Sequence, residues 1–186
     1  MKQQNKSGEM NFDFKIFPEI KTERLVLKKP DLNNHNDVTA VFKLRSSEEI
    51  NKFIVTKRVE TLAEAKTFIM NFDQLYKNKS RVFWLIKFEK QTIGSIVLHQ
   101  ISTADQYAEI GYKLKPKYQN KGIMSEALKA VLQFGFSKLK LKTIEAFTHK
   151  NNLASIALLE KHHFKYQPER RDLGIPDNRI WKLKKL

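Results

Sequence analysis

Tyr118-Gln119-Asn120-Lys121-Gly122-Ile123-Met124-Ser125-Glu126-Ala127-Leu128 stands between a strand-like segment and an amphipathic one. Beyond it, Met124, Ala127, Leu128, Val131, Leu132 and Leu139 mark one apolar stripe, so a helix is expected to begin near Lys121. The first turn of a helix carries amides without partners and the positive end of the helix dipole, and both suit phosphate. Gly122 lets the backbone approach such a group, and Lys121 adds a cation. The same residues also describe an ordinary loop running into a helix through a permissive glycine, and spacing alone leaves both readings open.

Just upstream, Tyr107 to Leu114 alternates. Ala108, Ile110, Tyr112 and Leu114 share one face, and Tyr107, Glu109, Gly111 and Lys113 share the other. The first face suits a core and the second a cleft. Further back, Val82–Ile86 and Thr92–Leu98 read as strands joined by a turn around Glu89-Lys90-Gln91. Thr61-Leu62-Ala63-Glu64 is a capping box, and Ala65, Phe68, Ile69, Phe72 and Tyr76 follow it on one helical face. Asn34 to Ser46 is loosely helical, and Arg24 to Lys28 is a strand stopped by Pro30. Residues 1–17 form an arm, in which Phe12, Phe14, Ile16 and Phe17 could add a strand or pack on a neighbour.

Downstream, Thr143 to Thr148 reads as a strand and Asn152 to Lys161 as a helix. Phe164-Lys165-Tyr166 and Arg179 to Leu183 are the last strands, with Gly174 and Pro176 between them. This order gives an α/β chain of the α+β kind. A mixed, mostly antiparallel sheet carries helices on its faces, within one domain spanning 18–186.

Composition narrows the function. A chain of 186 residues with 13 phenylalanines can build one real core. It has no cysteine, which excludes disulfides, thiolate metal sites and covalent cysteine chemistry. No apolar run is long enough to cross a bilayer, and Met1 to Met10 lacks the apolar centre of a signal peptide, so a soluble, cytoplasmic protein is expected. The formal charge is +15, spread along the chain rather than gathered in a block, which fits a solvated surface better than a nucleic-acid site.

The Tyr118–Leu128 segment resembles the pyrophosphate loop of GNAT-superfamily acetyltransferases: Gln or Arg, two residues, Gly, one residue, then Gly or Ala. Gln119 and Gly122 match, and Met124 stands where a small residue is usual. Tyr107 to Leu114 is similar to the family's central strand. Pro18-Glu19-Ile20-Lys21-Thr22-Glu23-Arg24-Leu25-Val26-Leu27 is similar to the start of its ribosomal-protein N-terminal (Rim-type) branch. Asn152-Leu153-Ala154-Ser155, ending in Glu160-Lys161-His162-His163-Phe164, resembles that branch's late helix, with His163 in place of glycine. The four segments occur in the family's order.

The resemblance implies a GNAT-type fold, acetyl-CoA as cosubstrate, no metal, and cofactor contacts from Tyr112, Leu114, Gln119, Lys121, Gly122, Ile123, Met124, Ser125, Asn152 and Ser155. Amine attack on a thioester needs a base, a donor for the developing oxyanion and a donor for the departing sulfur. Glu109 is the base candidate, directly or through water; its plainer reading is a half-exposed strand glutamate paired with a lysine. The family's late-helix tyrosine falls at Leu159, so Ser155 is placed near the sulfur instead, and an amide near Tyr112 would polarise the carbonyl. Asn152 also reads as a helix cap, and Ser155 as a solvated first-turn serine. The five histidines form no metal pattern: His149 lies near the site, and His162 and His163 read as surface or cap residues. Trp84 and Trp181 are expected in the core or the cleft wall.

The function expected is acetyl transfer to a primary amine by direct attack in a ternary complex. The acceptor is open among a protein N-terminus, a polyamine, an amino acid and an antibiotic amine; the resemblance favours a protein N-terminus, although acceptors vary widely within that branch. A basic surface does not attract a basic ribosomal protein unless the cleft itself is acidic. The alternative is a GNAT scaffold without catalysis that binds RNA or another polyanion. No membrane partner is expected, and a homodimer stays open.

Overall fold

A computed structural model describes residues 12–185, which form an eight-stranded sheet with four α-helices on its faces. The strands are β1 (Ile20–Lys21), β2 (Leu25–Lys28), β3 (Val82–Phe88), β4 (Gln91–Ser102), β5 (Tyr107–Leu114), β6 (Thr143–His149), β7 (Lys165–Tyr166) and β8 (Asn178–Lys184). The helices are α1 (His35–Ser46), α2 (Leu62–Lys77), α3 (Ile123–Ser137) and α4 (Leu153–Lys161). The sheet order is β1-β2-β3-β4-β5-β6-β8-β7, antiparallel throughout except where β5 meets β6.

Local chemistry explains most boundaries. Asn34 caps α1, and the Thr61 hydroxyl accepts the Glu64 amide at the start of α2. Glu64 reaches one residue beyond the capping box, to the Glu60 amide at 2.6 Å. Glu89 and Lys90 join β3 to β4 as a two-residue turn with both φ angles positive, the backbone form that matches hairpin twist. The helical stripe predicted on α3 is buried, but Leu139 lies beyond the last turn and enters the core from the connection to β6.

Two cores result. One sheet face packs on α3 and α4 around Trp84, Ile96, Leu98, Leu128, Val131 and Ile144. The other packs on α1 and α2 around Val41, Leu44, Ile69 and Leu85. The described part of the arm forms no strand. Instead Phe12 meets Phe134 edge-on with 5.2 Å between ring centroids, while Phe14 and Phe17 pack on Tyr76. Two bonds fix it: Tyr76 Oη donates to the Ile16 carbonyl at 2.8 Å, and Trp84 Nε1 donates to the Pro18 carbonyl at 2.6 Å. Residues 1–11 of the predicted arm lie outside the described residues. Among the described residues no helix is long and apolar enough to cross a membrane.

Candidate active site

β5 and β6 pair in parallel for only three positions, Tyr107 with Thr143, Ala108 with Ile144 and Glu109 with Glu145. Beyond them each strand keeps its outer partner, β4 for β5 through Leu114 and β8 for β6 through His149. The sheet therefore splits into a wedge. The β6-facing edge of Ile110–Leu114 carries backbone groups with no strand to satisfy them, which a ligand can use.

α3 points its N-terminus at this wedge. Gly122 precedes it at φ +73°, in the left-handed region where a side chain is strained. Side chains cap α1, α2 and α4 through Asn34, Thr61 and Asn152, yet α3 has no side-chain cap, so its first amides stay free for an anion. The loop is fastened from the far side. Glu126, in the first turn, accepts from Thr22 Oγ1 at 2.5 Å, the Arg24 amide at 2.9 Å and Arg24 Nε at 2.7 Å, and Arg24 also donates to the Lys121 carbonyl at 3.2 Å. Burial alone would raise the Glu126 pKa, but these bonds overturn that and leave it lowered. Thr22 was quoted above as part of a resemblance and Arg24 also as a strand residue; their task became visible once the chain brought them to a residue about a hundred positions away.

A cavity of about 650 Å³ runs from this helix tip along α4, and Tyr112, Leu114, Gln119, Gly122, Ile123, Met124, Ser125, Asn152 and Ser155 all line it. Of the predicted cofactor contacts, Lys121 alone is absent from that wall. Its side chain is exposed, and its carbonyl holds Arg24. Gln119 donates to the Leu114 carbonyl at 3.1 Å, tying the loop to the end of β5. Ser125 pairs with His162 Nε2 at 2.8 Å. Asn152 accepts the Ser155 amide at 3.2 Å, so the cap is made by a residue that also faces the cavity.

A second cavity of about 390 Å³ lies beneath α1 and α2 and shares the wall of Tyr112, Lys113, Asn152 and Ser155 with the first. Across the wedge, the Tyr112 and Ser155 hydroxyls meet at 2.8 Å. Burial pushes the Tyr112 phenol up to about 12, so it stays protonated and able to donate. Leu159, where the family tyrosine would fall, is buried in the core. Sequence reasoning cast Tyr112 as a backbone contact and missed its hydroxyl.

Glu109 stands at the closed end of the wedge, where Tyr107 Oη donates to it at 3.2 Å, and it lines neither cavity. Burial raises its pKa, Glu145 and Asp172 raise it further, and the Tyr107 bond and Arg81 pull against them. The residue between Glu109 and the second cavity is His99, whose Nδ1 is 3.6 Å from the Glu109 carboxylate. Burial, helped by Arg81, lowers the imidazole to about 4, so it is neutral at physiological pH. A bulge in β4 between His99 and Ser102, with Gln100 at φ +50°, sets this part of the wall, and no local pattern announced it. His149 also lines this cavity, against Phe53. Trp84 is core, and Trp181 is buried against Tyr166.

The split sheet and the uncapped, glycine-led helix tip agree with the GNAT-type fold that the resemblance implies, that of an acyltransferase drawing on a coenzyme A thioester. Residues 24–165 match the family model described as the acetyltransferase (GNAT) domain, and the chain belongs to that family. It is 32% identical over 151 residues to the uncharacterized N-acetyltransferase YoaA of Bacillus subtilis (strain 168), covering 80% of this chain and 84% of that protein. RimL, the ribosomal L7/L12 alpha-N-protein acetyltransferase solved with coenzyme A, overlays with a TM-score of 0.78 at 18% identity, covering 90% of this chain and 98% of that one. The microcin C7 self-immunity acetyltransferase MccE, solved with acetyl-CoA and AMP, overlays at 0.75 with 22% identity over 88% and 93% of the two chains. At such identities these two structures speak for the fold alone. As a member of the family the chain is an N-acetyltransferase with acetyl-CoA as cosubstrate.

Proposed function

We propose that this enzyme acetylates a primary amine by direct attack, with both substrates bound together and no acyl-enzyme. One observation carries the reading: two cavities meet at a shared wall of Tyr112, Lys113, Asn152 and Ser155, one leading from the helix tip and one from beneath α1 and α2. An amine entering by the second can meet a thioester entering by the first without a covalent relay.

Acetyl-CoA supplies the activated acetyl group; the chain supplies its placement. The free amides of Ile123, Met124 and Ser125 hold the diphosphate, and the unpaired edge of β5 near Tyr112 polarises the carbonyl. The amine nitrogen forms its bond to the carbonyl carbon as the carbon–sulfur bond breaks. Ser155, backed by the Tyr112 hydroxyl, donates to the departing sulfur. Glu109 accepts the amine's proton through water passing the neutral His99 ring, because the carboxylate does not itself face the cavity. The polyanion-binding alternative draws no support from the relatives, whose names are those of acetyltransferases.

Acetyl-CoA-dependent thiol release, measured across small amines and N-terminal peptides, tests the reading; no release with any acceptor would sink it. Glu109→Gln is expected to bind acetyl-CoA normally and to lose kcat about 10²-fold. In the wild type the acid limb of kcat/KM should lie above the ordinary carboxylate range, because a base with a raised pKa is lost as pH falls through that value. An unchanged limb in the variant removes Glu109 as the base.

A further inference from the structure

Arg45, Arg81 and Lys113 all line the second cavity, and no carboxylate does among the described residues. None of the three forms an ion pair among the described residues. Arg45 donates to the Lys57 carbonyl at 3.0 Å and lies 4.0 Å over the Phe68 ring, while its buried Nε has no hydrogen-bond partner. Arg81 stacks over Phe72 at 5.2 Å. Lys113 donates to the Asn51 side-chain oxygen, a neutral acceptor. Around them stand Phe53, Phe68, Phe72 and Phe83.

Charges set into an aromatic cavity without an ion pair destabilise the folded chain, and each feels the next, although the Glu109 carboxylate acts on Arg81 from outside the cavity lining. Burial lowers the pKa of Arg45, and Arg81 lowers it further. Burial lowers Lys113 to about 8, with Arg45 adding to the shift. Elsewhere this chain neutralises such groups: Lys87 meets the buried Asp37, and Arg170 meets the buried Glu145. The cations at this one place are left open to a ligand. Arg guanidinium groups match carboxylate and phosphate better than they match any neutral group.

We infer that the acceptor is a small amine carrying its own anionic group, a carboxylate or phosphate held by Arg45 and Arg81, with the amine end turned toward Lys113, Tyr112 and Ser155. This rests on the acetyl-transfer reading and narrows its substrate class. Polyamines and basic N-terminal peptides would enter a field of their own sign. The same field disfavours the ammonium form of the bound amine, so more of it is ready to attack and a weak base suffices. A volume of about 390 Å³ suits a small molecule with an apolar or aromatic body.

The test uses the full chain at saturating acetyl-CoA, with acceptors matched in pairs: phenylalanine against its amide, glucosamine 6-phosphate against glucosamine, and spermidine and an acidic N-terminal peptide alongside. The expected result is a kcat/KM at least about tenfold higher for the anionic member of one pair, and which pair responds separates carboxylate from phosphate. Arg81→Gln should erase most of that ratio, chiefly through KM, and Arg81→Lys should keep part of it. Should Arg81→Gln fail to fold, inorganic phosphate at constant ionic strength must still compete with the amine. Equal rates within both pairs, a preference for spermidine or the peptide, or no competition by phosphate overturns the inference. A melting shift with acetyl-CoA keeps the two failures apart: without it the acetyl-transfer reading fails, and with it only the acceptor assignment does.

Discussion

At the scale of single residues, Gly122 carries the most. Its left-handed φ of +73° lets the loop turn so that the α3 amides face the cavity, and a Cβ there would lie 3.6 Å from Arg24, which is ordinary contact. Space therefore does not forbid a side chain; conformation and charge do. Gly122→Asp sets a carboxylate beside the anion site and strains the backbone by about 1–2 kcal/mol. Acetyl-CoA binding should fall below detection by calorimetric titration while the fold persists, and tight binding in that variant would show that the diphosphate lies elsewhere. His163 is the opposite case. It sits at φ +64°, where the Rim-type pattern that the segment resembles has glycine, and the helix still closes: the His163 amide donates to the Glu160 carbonyl and the Phe164 amide to the Leu159 carbonyl. The chain accepts strain there without functional need, so His163→Gly should raise stability by about 1 kcal/mol in urea melts and leave kinetics unchanged.

At the scale of elements, the wedge opens between β5 and β6, and Gly94 lets β4 hold β5 closely on its other edge. A Cβ at Gly94 would fall 2.4 Å from the Lys113 carbonyl, a clash with backbone that no rotamer relieves. Gly94→Ala should cost about 2 kcal/mol and, by shifting Lys113 and Tyr112, lower kcat as well; denaturant melts with steady-state kinetics check both. Such pairings mark where reading from sequence stopped. The α2 cap at Thr61, the β5 alternation and the start of α3 were legible because each is written within a few neighbouring residues. The β4 bulge, the Glu126 anchorage and the placing of His99 before Glu109 were not, since each depends on residues brought together by the sheet. The residues expected at the cofactor fall, Lys121 apart, on one cavity wall, whereas the charge pattern was illegible, because Arg45, Arg81 and Lys113 lie on three different elements or connections with no shared motif.

At the scale of the molecule, the charge of +15 looked like a diffuse surface property, and the cavity shows that part of it is turned inward. The same scale governs the arm. The sequence set off residues 1–17 as an arm before a domain spanning 18–186, and in the structure Phe12, Phe14 and Phe17 pack on Phe134, Tyr76 and Trp84. The Tyr76 hydroxyl spends its hydrogen on the Ile16 carbonyl, and burial pushes that phenol up to about 12. Removing residues 1–17 would strip aromatic cover from one core and leave Tyr76 and Trp84 without neighbours they now have. Two or three aromatic side chains at about 1.5–3 kcal/mol each give an upper bound, and a loss of about 3 kcal/mol is expected once the segment's own ordering cost is subtracted. The truncated chain should melt about 10 °C lower, with acetyl-CoA affinity retained wherever it stays folded, since the arm's rings meet α3 near its C-terminal end at Phe134 and none of them lines the cavity at the helix tip. A truncation that melts with the full chain would show that these rings only rest on the surface, and that the domain does begin at residue 18.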